Sequence, residues 1–143
     1  MRDQRVSLPP LGGAAHAGRA LVLDDDRHAR GAVVRLLRSF GYEVMAAADG
    51  LEALELLSQD FDVIISDVDM PGMDGREFKR ELDRRRIDVP VVLVSGEPEL
   101  ASVGRELSVV ACIAKPCGAD DLRRALARLD EERRRRAKRR EAG

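Results

Sequence analysis

Val63-Ile64-Ile65-Ser66-Asp67-Val68-Asp69-Met70-Pro71-Gly72-Met73-Asp74-Gly75 is the stretch that decides the fold. An aliphatic run of strand length ends on a carboxylate and passes through a Pro-Gly loop. It then meets Asp74-Gly75, a helix-starting pair ahead of Phe78 and Leu82 at helical spacing. A strand buried on both faces reads as such an unbroken apolar run, which is the habit of parallel sheets. The spacing predicts a strand over 63–67 and a helix after Gly75.

Outward from there the rhythm repeats. Further strands are expected over Ala20 to Asp24, Glu43 to Ala47, Val91 to Ser95 and Val110 to Ala114. Between them, from about Arg27 to Phe40, Val33, Leu36, Leu37 and Phe40 share one helical face that Gly41 ends. A second helix is capped by Asp49 and should bury Leu54 and Leu57. A fourth, near Glu99 to Leu107, contains Gly104 and is expected to be the least rigid. The fifth runs from Asp120 with Leu122, Ala125, Leu126 and Leu129 on one face. Alternating strands and helices give an α/β fold with a parallel sheet covered on both faces. Residues 8–18 are rich in Gly and Pro, so 1–18 is expected to be a disordered arm and 19–130 the folded domain. The apolar stripe stops at Leu129, which leaves 131–143 as a charged helix extension or tail with no sustained coiled coil.

With 143 residues, 44% hydrophobic content and 3% aromatic content, one domain with a core of Val, Ile, Leu and Ala is expected. No apolar run approaches the roughly 20 residues of a membrane span, and residues 1–18 lack a signal peptide's apolar region, so a cytoplasmic location is expected. Cys112 and Cys117, with only His16 and His28 elsewhere, suit no zinc site of usual spacing and read as reduced packing thiols. The net charge of −1 conceals an uneven distribution, since residues 131–143 hold seven basic and three acidic side chains. Glu131 and Glu132 stand three or four residues ahead of Arg135 and Arg136, the pattern of a solvated helix end, so nucleic acid is not expected as a partner.

In an open parallel sheet, ligands gather outside the carboxyl ends of the strands. There the first strand delivers Asp24-Asp25-Asp26, the third Asp67 and Asp69, the fourth Ser95-Gly96 and the fifth Lys115-Pro116. Singly, an Asp at a strand end is more often a helix cap, and Ser95 alone could be one too. Together they place several carboxylates where mutual repulsion calls for a cation, and a small set of hard oxygen ligands points to Mg2+ rather than zinc. His28, in the first turn of a helix, is assigned no role.

The ordered set Asp24-Asp25, Asp67 in Asp-Val-Asp-Met-Pro-Gly-Met-Asp-Gly, Ser95 and Lys115-Pro116 resembles the receiver domain of bacterial two-component response regulators over about 110 residues. The resemblance implies a flavodoxin-like, doubly wound five-stranded sheet of order 2-1-3-4-5. It also implies a signalling phospho-acceptor rather than an enzyme, with Asp67 taking a phosphoryl group from a sensor histidine kinase or phosphotransfer protein. By the same carry-over Asp25 ligates Mg2+ with Asp24 assisting, Asp67 is both ligand and nucleophile, and the backbone carbonyl of Asp69 is a further ligand. Lys115 neutralises the phosphoryl charge, Ser95 hydrogen-bonds the phosphoryl group, and the side chains of Asp69 and Glu97 tune its lifetime. The downstream effector is not named by the sequence, and a homodimer stays open.

One position departs from the pattern: most receivers carry an aromatic residue three places before the lysine, where this chain has Cys112. Movement on phosphorylation is therefore expected to concentrate in the loop 96–99 and the fourth helix. Ile65-Ser66-Asp67-Val68-Asp69 also resembles the strand-DxD of haloacid dehalogenase phosphatases, but those place DxD first, whereas Asp24-Asp25 precedes it here. A receiver-like interaction domain that never sees phosphate is disfavoured by the complete acid, Ser and Lys set. No phosphate-cradling glycine motif follows the first strand, and no output domain has room after residue 130, which leaves a single-domain regulator or a receiver cut from a longer protein.

Overall fold

The computed structural model describes residues 17–96 and 100–142. The expected arm lies outside the described residues as far as position 16, as does Glu97. Ten elements alternate along the chain: β1 (Gly18–Leu23), α1 (Arg27–Ser39), β2 (Tyr42–Ala47), α2 (Gly50–Leu56), β3 (Val63–Asp67), α3 (Gly75–Arg84), β4 (Val91–Ser95), α4 (Leu100–Leu107), β5 (Ala111–Ala114) and α5 (Ala119–Ala142). The strands form one parallel sheet of order β2-β1-β3-β4-β5. That is the order expected from the resemblance. β1 starts two residues earlier than the apolar run suggests, because the Ala17 amide already donates to the Gly41 carbonyl and Gly18 pairs with Tyr42.

Alternation along the strands splits the core in two. Ala20, Val22, Val63, Ile65, Val92, Val94 and Ile113 meet α1 through Val33 and Leu37, and α5 through Leu122, Ala125 and Leu129. On the opposite face Leu21, Leu23, Ile64, Val91 and Leu93 meet α2, α3 and α4 through Ala53, Phe78, Leu82, Val103 and Leu107. Central strands covered on both faces explain why β3 and β4 are buried at every position. Truncating Leu37 or Leu122 to alanine would cost about 2–5 kcal/mol.

Helix starts follow side-chain chemistry. Asp26 caps α1 by accepting the amides of His28 and Ala29, and Asp74 forms a full capping box with Glu77 at α3. Gly41, at φ +94, ends α1 where a side chain would be strained. α2 differs from expectation. Asp49 caps it, but its buried residues are Gly50 and Ala53, while Leu54 and Leu57 are only partly buried. The reason is close approach, since a Cβ on Gly50 would press on the Met73 side chain at 2.8 Å. α5 runs unbroken to Ala142.

Candidate functional site

The carboxyl ends of β1, β3, β4 and β5 bring the predicted residues together. Asp67 closes β3 at 2% exposure, Asp24 follows β1 at 5%, and Ser95 closes β4 fully buried. Lys115 follows β5, and its amide is tied to the Ser95 carbonyl at 3.0 Å. Its ammonium stands 3.1 Å from Asp67 Oδ2 and 3.8 Å from Asp24 Oδ2. Carboxylate oxygens of Asp24, Asp25 and Asp67 lie within 4.8 Å of one another, the one such acidic, cysteine or histidine group among the described residues. Asp25 is the exposed member, so the cluster opens to water on its side.

Backbone contacts hold these side chains in place. Asp24 Oδ1 accepts the Asp26 amide at 2.9 Å, and the Asp24 carbonyl accepts Arg30 Nη1 at 2.8 Å. Asp67 Oδ1 accepts the Asp69 amide at 3.2 Å. The Gly75 amide bonds the Val68 carbonyl, and a Cβ on Gly75 would collide with the Asp67 carbonyl oxygen. Glycine at 75 is what lets α3 start against the end of β3. The Lys115-Pro116 peptide is cis.

The electrostatics follow from this enclosure. Burial pushes the Asp67 carboxyl up to about 6; the Lys115 hydrogen bond opposes that rise and the neighbouring Asp24 charge adds to it. Burial works to lower the Lys115 ammonium, yet Asp67 and Asp24 together hold it above its ordinary value. A divalent cation would relieve the remaining repulsion. The three oxygens suit a hard cation with room for water, which is the preference of Mg2+.

Ser95 is held beside Asp69. Its hydroxyl donates to Asp69 Oδ2 at 3.1 Å, a contact between residues 26 apart that sequence spacing does not reveal. Arg30 is the other residue that sequence reading misses. A cation at the second turn of the helix after Asp24-Asp25 was the available signal. Cys112 and Cys117 sit partly buried, and burial raises both thiols, Cys117 to about 11, so they stay protonated as packing groups. His28 is exposed, and its amide serves the Asp26 cap.

The chain is similar to known proteins in sequence and fold. The family model described as response regulator receiver domain matches residues 20–127. Among curated relatives, the C4-dicarboxylate transport transcriptional regulatory protein DctD of Rhizobium meliloti is 37% identical over 82% of this chain and 26% of its own length. The response regulator MprA of Mycobacterium ulcerans is 35% identical over 78% of this chain and 48% of its own. The chain thus spans half or less of these relatives. Among solved structures, the chemotaxis protein CheY4 of Vibrio cholerae superposes with a TM-score of 0.71 at 35% identity, covering 81% of this chain and 99% of that one. The response regulator TrrA of Thermotoga maritima, solved in complex with Mg(2+)-BeF, gives 0.70 at 28% identity over 78% and 97%. With the sheet order, the strand-end residues and a match over most of its length all agreeing, this chain belongs to the response regulator receiver domain family of two-component systems.

Proposed function

We propose that Asp67 accepts a phosphoryl group, in a Mg2+-dependent transfer from a histidine kinase or phosphotransfer protein, and that the modified domain changes its contacts with a downstream effector. The carrying observation is the convergence on Asp67 of the Lys115 ammonium at 3.1 Å and of Asp24 and Asp25 within 4.8 Å. An Asp67 carboxylate oxygen attacks phosphorus as the bond to the donor's leaving atom breaks. That atom keeps the bonding electrons and takes a proton from solvent. Phosphoryl transfer passes through a loose transition state with charge on the equatorial oxygens, so the protein's work is positioning and neutralisation.

Asp24, Asp25, Asp67 and the Asp69 carbonyl would hold Mg2+, which when bound supplies positive charge to the phosphoryl oxygens. Lys115, already seated on the nucleophile, pairs with the group once it is attached. Ser95 would exchange its bond to Asp69 for one to a phosphoryl oxygen, because the new negative charge disfavours the Asp69 carboxylate beside it. The receiver unit is assigned to 19–130, with 1–18 as an arm and 131–143 as a charged extension, working in the cytoplasm. Among the described residues no helix is long and apolar enough to cross a membrane.

Incubation with acetyl phosphate tests the reading. A gain of one phosphoryl mass is expected with Mg2+, with little gain in its absence or in Asp67→Asn. Equal labelling of Asp67→Asn would overturn it.

A further inference from the structure

The buried stripe of α5 ends at Leu129, but the face it lies on continues in arginine. At about 100° per residue, Arg133, Arg136 and Arg140 occupy the same sector as Leu122, Ala125 and Leu129. Two of them meet acids on the rim opposite Asp67. Arg133 lies 3.6 Å from Asp62 Oδ1 and donates to the Asp62 carbonyl at 3.3 Å, and Arg136 lies 3.1 Å from Asp88. Asp62 is itself fixed, since its other oxygen accepts the Arg19 amide at 2.8 Å. Glu132 gathers Arg135, Arg136 and Arg139 at 3.6, 3.1 and 3.7 Å. The extension is therefore tethered to the domain, with its side chains held in a defined array.

Positive charge remains after this pairing. Among the described residues Arg134, Lys138 and Arg140 have no carboxylate at ion-pair distance. Arg134, Arg135 and Lys138, with Glu131, line one open depression, and Arg136, Arg139 and Arg140 contribute to a second beside Asp88. We propose that the exposed cations of residues 131–142, with Arg134, Arg135 and Lys138 of the first depression at their centre, form a docking ridge for the phosphate backbone of duplex nucleic acid.

Three features favour this occupant. The only apolar side chains in the segment are Ala137 and Ala142, so it offers a bilayer no face to insert and a protein no buried apolar anchor, whereas phosphate affinity rests on charge alone. Six of its seven cations are arginine, whose fork matches phosphate oxygens. The segment is about 18 Å long, over which a duplex presents on the order of ten phosphates. Residues 1–130 hold 18 basic against 23 acidic side chains and would repel the same polymer, which restricts contact to this end. Sequence pattern alone makes this end a solvated helix; the surplus of exposed cations on a helix tethered to the domain through Arg133 and Arg136 is what points to phosphate. The proposal does not depend on phosphorylation of Asp67.

Fluorescence anisotropy of a labelled duplex of about 20 base pairs with the full chain tests it. With the three cations of that depression engaged, the log–log salt slope should be about −2.7, so affinity should fall about fortyfold between about 50 and 200 mM salt. The variant Arg134→Ala/Arg135→Ala/Lys138→Ala should bind at least about tenfold more weakly at the lower salt, with a slope near zero and unchanged helix content. Lys138→Glu alone, at a fully solvated position, gives the same reading in a minimally altered fold. No binding near 50 mM salt, or full binding by both variants, overturns the proposal. So does preferential binding to anionic phosphatidylserine vesicles, or salt-sensitive self-association in place of duplex binding.

Discussion

At neutral pH the Asp67 carboxylate is ionised in a setting that disfavours it, with a folded pKa of about 6 against an ordinary value of 3.8. Below about pH 4 both folded and unfolded chains hold the proton. Between there and pH 6 only the folded chain does, so stability falls as pH rises through that window, by at most about 3 kcal/mol, and then levels. In the absence of Mg2+, Asp67→Asn should remove this contribution and be the more stable protein at pH 7. The two proteins should converge near pH 4. Denaturant unfolding at both values checks it, and an equal difference at the two would contradict it. Lys115→Ala should leave Mg2+ affinity within a few-fold while weakening beryllofluoride binding tenfold or more, since a charge-assisted contact to the phosphoryl oxygens is worth about 1.5–3 kcal/mol. Titration of each ligand separates the two effects, and parallel losses would mean that the lysine serves only the acidic cluster. The chemical groups at the strand ends were legible in the sequence because strand termini can be read from apolar runs. The Ser95–Asp69 and Arg30–Asp24 contacts were not, because they depend on how loops and a helix turn settle in three dimensions.

Element by element, each strand falls on its apolar run and α1, α2 and α3 start at aspartate caps, while in α4 the glycine has a packing role that propensity does not reveal. Sequence propensity marks Gly104 as a weak point. In the structure it is buried, and a Cβ there would collide with Cys112 Sγ on β5. Small residue meets small residue, and the backbone of α4 rests on the thiol. Gly104→Ala should therefore destabilise by about 1–3 kcal/mol despite its better helix propensity. Cys112→Ala should recover part of that loss in a double-mutant cycle. Simple additivity of the two substitutions would show that the contact carries no energy. The same contact couples α4 to β5. When beryllofluoride and Mg2+ are added, amide shifts are expected to be largest near Ser95 and in α4. Cys112 should then report through its contact with Gly104, and Leu122 to Leu129 should change least. Shifts along α5 as large as those in α4 would mean that the displacement passes across the sheet.

Across the whole molecule, chemistry and charge stand at opposite rims of one sheet. The carboxyl rim gathers Asp24, Asp25, Asp67, Ser95 and Lys115, while Asp62 and Asp88, just ahead of β3 and β4, receive the arginines of the long α5. The sheet order came from resemblance rather than from periodicity, since apolar runs show that strands exist but not which are neighbours. The course of α5 beyond Leu129 was the least legible feature, because ion pairs between distant loops and a helix leave no periodic trace. Replacing both Arg133 and Arg136 by alanine should speed amide hydrogen exchange in residues 131–142 while leaving the core strands protected. Unchanged exchange would mean that local helix pairs alone hold the segment. The central claim rests on one carboxylate, and the most direct measurement is to map the modification itself. The protein is labelled with acetyl phosphate and Mg2+, the acyl phosphate is trapped by borohydride reduction, and the altered residue is located by peptide mass spectrometry. Reduction at Asp67 and at no other carboxylate is the predicted result; a label on Asp24, Asp25, Asp69 or any residue away from this cluster would contradict the account.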